Sequence, residues 1–361
     1  MSIFRLAMHP ASEGDALILS WGPEDRPHRA LIDLGRTGDY RALKPLLSIV
    51  EKFDLFCLTH IDADHIEGAL PLFKEAKLPF TAERLWFNAH AQLVAANDRL
   101  PPLGREALGA VQAEKVSAGI VKIGWRWNPE FASSVVSIDS PEAAEPISLD
   151  GGLTLTILSP SDRKLAQLLP VWDQELAKAG LRTTDPDEVE RALIDSREVL
   201  GDLNVDVLAA TPFKIDTTRP NGASIVFIAE FDKRQVLLAA DSHPDIIETA
   251  LRGRGYSETN KLRLDCLKVS HHGSKANTSP ALLKIIDCQV FAFSTDGSRH
   301  DHPDRETIAR ILNNDPDRAK TLYFNFRQPN TECWDDDTLK RRWRYECVFP
   351  HEGTEGIEFG I

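Results

Sequence analysis

Basic residues are the first shortage in this 361-residue chain: 42 Lys and Arg stand against 55 Asp and Glu, a formal net charge of −13. That balance excludes a protein that coats nucleic acid through bulk charge. It does not exclude one that holds a polyanion through bound cations. Cysteine is sparse as well. The five are Cys57, Cys266, Cys288, Cys333 and Cys347, and no two have Cys-x-x-Cys spacing. A Cys-rich zinc site is therefore not expected, and buried reduced thiols in a cytoplasmic protein are the simplest account. No stretch of 18 apolar residues occurs, so no membrane span is expected. The opening MSIFRLAMHPASEGD lacks the apolar core of a signal peptide. Low-complexity linkers and clear internal repeats are missing too. What is present, 42% hydrophobic and 27% charged residues, is ordinary globular composition with ample chain for a core.

The chain opens on short strand-like runs, IFRLAMH, DALILSW and RALIDLG, separated by turns. Residues 40–52 have helical spacing, weakened by Pro45. FDLFCLT, 53–59, is a continuous apolar run of buried-strand length. Residues 66–76 read as a helix and 83–89 as a strand. Residues 147–160 read as a hairpin through Asp150-Gly151-Gly152, and SIVFIAEF with RQVLLAAD as a second, turning at Asp232-Lys233. Strands and helices then alternate to a closing strand, RRWRYECVF. Two sheets with helices packed outside fit this order better than one doubly wound sheet. The expectation is a single domain over 1–361, with helical or loop insertions at about 90–146 and 161–218.

Chemistry concentrates where strands end. Thr59-His60-Ile61-Asp62-Ala63-Asp64-His65 places four potential metal ligands within six residues, directly after the buried run. Two carboxylates and two imidazoles at such a place are costly unless a cation accompanies them. The blander alternative is a solvated acidic loop. Val236–Asp241 repeats the pattern with one carboxylate, which could bridge two metals or equally cap the helix that begins at Pro244. Leu267-Lys268-Val269-Ser270-His271-His272-Gly273-Ser274 sets adjacent imidazoles at a third strand end. One of them could bind metal and the other substrate or a second metal, with Ser274 donating to a substrate oxygen. His302, before Pro303, sits after a fourth apolar run, and His300 beside it reads as surface. His9, His28, His90, His243 and His351 lack this pattern.

These residues resemble the metallo-β-lactamase-fold hydrolases, and among them look most like the hydrolase domain of the DNA-uptake protein ComEC. The family's H-x-H-x-D-H appears here as H-x-D-x-D-H, with Asp62 in place of the second histidine. Gly14-Asp15-Ala16, Ile32-Asp33-Leu34-Gly35, Leu158-Ser159-Pro160, Asn221 with Ser224, Ala240-Asp241, the Ser-His-His-Gly-Ser run and His302-Pro303 follow in the expected order. The usual glycine before the bridging aspartate is Ala240. No clear counterpart of the family's separate third histidine follows, although His90 sits near its place. The resemblance implies an α/β fold, an αββα sandwich. It implies one metal held by His60, Asp62 and a histidine of the 271/272 pair. A second would be held by Asp64 and His65, with His302 a further candidate, and Asp241 would bridge the two.

The expected function is a metal-dependent hydrolase, a two-metal phosphodiesterase or nuclease carrying two divalent ions, zinc or manganese, that generate hydroxide near neutral pH. Asp64 or Asp62 would relay the proton. His302 and Ser274 would stabilise developing charge, and Asp33 would orient a ligand imidazole. The expected substrate is a phosphodiester, a single strand or a small nucleotide-like molecule. The basic run Lys340-Arg341-Arg342-Trp343-Arg344, with Trp334 nearby, reads either as a single-strand track or, preferably, as a charged sheet edge. The alternatives are lactone or thioester hydrolysis on the same metals, and a metal-bound interaction protein whose insertions bind a partner.

Overall fold

The computed structural model describes residues 1–106, 115–178, 180 and 203–361. Parts of both expected insertions, 107–114 and 181–202, lie outside the described residues. Two large sheets organise the rest. The first has six strands in the order Ile357–Gly360, Ser2–Met8, Leu17–Pro23, His28–Ile32, Leu55–Cys57, Leu85–Trp86. The second has eight: Tyr345–Val348, Lys320–Phe324, Val290–Phe293, Cys266–Lys268, Arg234–Leu238, Val226–Phe231, Thr154–Ser159, Ile147–Ser148. In each sheet the early hairpin strands pair antiparallel and the later, helix-connected strands pair parallel. That follows from the connections, since only a crossover long enough for a helix returns the chain parallel.

Side-chain alternation along these strands builds three cores. Phe4, Leu6, Leu19, Trp21, Ile32 and Leu55 of the first sheet pack against Leu155, Ile157, Phe227, Val236 and Leu238 of the second. The opposite face of the first sheet, with Ile18, Leu31 and Phe56, is covered by helix Thr37–Val50 through Tyr40, Leu43 and Leu47 and by neighbouring helices. The opposite face of the second, with Leu237, Leu267 and Leu322, is covered by helices Pro244–Gly253 and Arg305–Asn314. Along one strand Cys266 faces the central core and Leu267 the outer one. The four layers are the expected αββα sandwich.

Several local readings need correction. Helix Thr37–Val50 runs straight through Pro45. The stretch read as one helix over 66–76 is two short pieces, Ala63–Ile66 and Ala69–Leu72. Gly68 between them lies so close to Leu34 that a Cβ would stand 2.4 Å from its carbonyl oxygen. The closing run RRWRYECVF is not one strand. Its basic half belongs to helix Asp337–Trp343, Arg344 ends that helix in the left-handed region (φ 53°), and the strand begins at Tyr345. The last strand, Ile357–Gly360, was not anticipated; it adds to the edge beside Ser2–Met8. No helix among the described residues is long and apolar enough to cross a membrane.

Registers align the strand ends. Leu238 lies opposite Lys268, Lys268 opposite Ala292 and Ala292 opposite Tyr323. Ile32 lies opposite Cys57 in the first sheet. The loops that carry Asp33, His60, Asp241, His271 and His302 therefore leave from the carboxyl ends of parallel strands, where open α/β sheets place their ligand sites.

Candidate metal centre

Three of these loops bend sharply as they leave their strands. Asp33 (φ 58°), Ala240 (43°), His271 (48°) and His272 (53°) all adopt left-handed backbone, which non-glycine residues adopt at a cost of about 1–2 kcal/mol each. Hydrogen bonds between the loops hold these bends. The His271 amide donates to the Ala240 carbonyl at 2.8 Å, and the Ser270 hydroxyl to the Ser242 carbonyl at 2.8 Å. Gly14 is pressed against the ligand loop so closely that a Cβ would lie 1.8 Å from the Asp64 carbonyl oxygen.

Asp241 stands at the centre, 2% exposed. Its Oδ2 lies 3.4 Å from His65 Nε2, 3.5 Å from His272 Nε2, 3.6 Å from His271 Nε2 and 3.9 Å from His60 Nε2. Four imidazoles from two sheets thus converge, through the same ring nitrogen, on one carboxylate oxygen. Asp64 Oδ2 is 3.5 Å from His272 Nε2 and 3.7 Å from His65 Nε2; Asp62 Oδ2 is 3.6 Å from His60 Nε2.

The other nitrogen of each ring is already engaged. His65 Nδ1 donates to Asp33 Oδ2 at 2.7 Å, and His272 Nδ1 to the Ser294 carbonyl at 2.8 Å. His271 Nδ1 donates to Asn277 Oδ1 at 2.9 Å. Thr59 gives its hydroxyl proton to Asp33 at 2.7 Å, so its oxygen accepts from His60 Nδ1 at 3.0 Å. Nδ1 protonation leaves Nε2 bare on the side facing Asp241, the tautomer a metal ligand needs.

Bare nitrogens would repel these carboxylates, so a proton or a metal cation must lie between them, and the charge balance reflects this. Burial opposes a charged His65, but Asp241, Asp64 and Asp33 outweigh it and hold the imidazolium well above its ordinary range. Burial likewise opposes His272, yet Asp241 and Asp64 raise it to about 10. Asp64 and Asp241 are pulled below the usual carboxylate range, against burial, chiefly by His65 and by His272. His60 Nε2 and Asp241 Oδ1 are buried with no hydrogen-bond partner. Asp64, His65 and His272 can hold one ion, and His60, His65 and Asp241 offer a second grouping.

The sequence-derived residues fall into two classes. His60, Asp62, Asp64, His65, Asp241, His271 and His272 are brought together. His302 joins them, its ring centroid 5.4 Å from that of His271. Burial, joined by the neighbouring imidazoles, pushes His302 well below the ordinary histidine range, so it is neutral. Ser274 is different: its hydroxyl accepts the Ala276 amide at 3.3 Å, and it is not among the residues lining the cavity of about 80 Å³ over the centre. His90 also stays apart, its ring against Trp172. His300 lies at the exposed rim of the cavity.

Other residues received no role in the sequence reading. Glu13 and Thr295 line the cavity, and Glu13 is bound by Arg36 at 2.6 Å and Arg299 at 3.2 Å. Asp15 and Lys268, both fully buried, form an ion pair at 2.8 Å behind His272. Asp15 lies in the Gly-Asp-Ala run and Lys268 two residues before the Ser-His-His-Gly-Ser run, so position was the available signal. Trp343 and Trp334 are both buried, leaving the basic helix Asp337–Trp343 without an exposed ring on which a base could stack.

No family model matches the chain, and no curated protein does. Among solved structures it is similar to the metallo-beta-lactamase fold protein YhfI from Bacillus subtilis, at 9% identity, with each chain covered in full and a TM-score of 0.38. A likeness at that score carries no argument, and the αββα assignment rests on the layers and strand order described above.

Proposed function

We propose that the chain is a metal-dependent hydrolase acting on phosphodiesters at a binuclear centre. The convergence of four Nε2 atoms on Asp241 Oδ2, with every Nδ1 anchored elsewhere, carries this reading. His60, Asp62 and His271 would hold one ion, Asp64, His65 and His272 the other, and Asp241 would lie between. Such a mixed oxygen and imidazole set suits zinc or manganese. When bound, divalent ions acidify water and polarise a phosphoryl oxygen.

The chain's own groups supply the rest. Asp64, a carboxylate that lines the cavity with a fifth of its side chain exposed, accepts a hydrogen bond from the attacking water and orients it. His302 lines the same cavity as a neutral imidazole and donates a hydrogen bond to the oxygen on which charge develops. Thr295 places a hydroxyl on the same wall. The small cavity admits the reacting group of a substrate and leaves the remainder at the rim, where His300 is exposed. The phosphodiester assignment draws on the likeness to ComEC-type domains, whose H-x-D-x-D-H ligand pattern this chain carries.

A panel of bis-p-nitrophenyl phosphate, single-stranded DNA, lactones and thioesters, assayed with the manganese- or zinc-reconstituted chain, tests the reading. Turnover of the phosphodiesters, lost in Asp64→Ala/His65→Ala, is the expected result. Turnover of lactone or thioester alone would transfer the site to carbonyl chemistry. Bound metal without turnover of any ester would leave an interaction protein.

A further inference from the structure

The four imidazoles of the centre rest on four different acceptors: a carboxylate for His65, a backbone carbonyl for His272, a threonine hydroxyl for His60 and the amide of Asn277 for His271. An amide is a weaker and less decided anchor than the others, because either end can face a ring. Here its orientation is determined. Asn277 Nδ2 faces Asp216 Oδ2 at 3.0 Å and the Asp241 carbonyl at 3.1 Å, with the Ser242 carbonyl at 3.4 Å. All three only accept, so the amino end must lie there and Oδ1 must face His271. Asn221 Nδ2 gives one of its two protons to Asp216 at 2.7 Å and approaches the same ring nitrogen only at 3.3 Å. At 2.9 Å the Asn277 contact is shorter, and a bare Nδ1 there would set two lone pairs face to face. His271 Nδ1 therefore carries the proton.

Asp216 is fixed in turn. The Thr218 amide and hydroxyl each donate to its Oδ1 at 2.8 Å, and its side chain is 7% exposed. Asn277 is fully buried, and the guanidinium of Arg310 holds its loop by the carbonyls of Lys275 at 2.6 Å and Thr278 at 3.4 Å. The charge of Asp216 polarises the Asn277 amide and strengthens its oxygen as an acceptor.

We propose that Asp216 and Asn277 are positioning residues that form a carboxylate–amide–imidazole chain, holding His271 with Nε2 bare toward Asp241 and so making it a metal ligand. This rests on the metal-centre reading. Neither residue touches the reacting atoms. The chain crosses from the loop before Asn221 to the loop after the His-His pair, so it also couples the geometry of a loop in the second expected insertion to the centre.

The test uses the full chain, with zinc as the titrant, in native form and as Asn277→Ala, Asp216→Ala and the milder Asp216→Asn. Asparagine at 216 offers one acceptor oxygen where two are used, so it preserves folding better while acting in the same direction. Calorimetry reads zinc affinity, and nitrogen-15 shifts of labelled histidine in the zinc-loaded chain read the His271 tautomer. Expected is a 10–100-fold loss of affinity for one ion, the usual effect of removing a residue that orients a ligand, with loss of the Nδ1–H signature of His271. Variants that fold and bind within twofold of native overturn the proposal, whatever their tautomer. A native chain that takes up no zinc overturns the metal-centre reading instead.

Discussion

The carboxylates around the centre bias the protonation of its histidines, and this predicts how metal uptake depends on pH. His65 and His272 are held above the ordinary histidine value by Asp241 and Asp64, against their burial, and His272 reaches about 10. In the metal-free chain the carboxylates therefore favour protonation at the two Nε2 atoms, which lie 3.2 Å apart. The stability that this pairing contributes is complete below the unfolded histidine value near 6.5 and is lost as pH rises through the folded value. Asp64 and Asp241 stay ionised throughout, being shifted downwards. Divalent ions must displace protons held there, so affinity should rise with pH towards 10, with net proton release on binding at neutral pH. Calorimetry in two buffers of different ionisation heat reads that release. Zero release would mean that the rings are neutral before metal arrives.

At the scale of elements, the buried pair of Asp15 and Lys268 joins the loop before strand Leu17–Pro23 to strand Cys266–Lys268, and so ties one sheet to the other beneath His272. Lys268→Met leaves Asp15 buried and unpaired, and should cost about 3–5 kcal/mol. Replacing both partners, Asp15→Leu/Lys268→Met, should recover most of the loss, since the pair's own desolvation disappears with it. Denaturant unfolding decides, and a single variant as stable as native would show that water reaches the pair. The elements also show what was legible. The strand-then-ligand pattern could be read because a buried apolar run has few ways to end in His or Asp without a partner, and it located seven ligand candidates in three loops. Asn277 and Asp216 could not be read, because they are ordinary polar loop residues and Asp216 stands 55 positions before His271 in the sequence. The basic run 340–344 was misread as a strand because its charges hide the helical period. The overlooked signal was Asp336, whose carboxylate accepts the Thr338 and Leu339 amides at 2.9 Å and starts the helix.

For the whole molecule, the net charge of −13 changes meaning once the layers are assembled. Asp33, Asp62, Asp64 and Asp241 gather at one end of the sandwich, where two divalent ions would offset them. Because the centre draws ligands from both sheets, ions bound there should stabilise the molecule as a unit, by about 2.7 kcal/mol at a hundredfold excess over Kd. A chelator should lower Tm correspondingly. The Asp64→Ala/His65→Ala chain should remain folded and lose most of that response. The most direct test of the account is elemental analysis of the native chain and of Asp241→Ala after reconstitution and removal of free ion. It predicts about two divalent ions per native chain, with clear loss in the variant. A native chain that retains none, or a variant that retains as many, would contradict it.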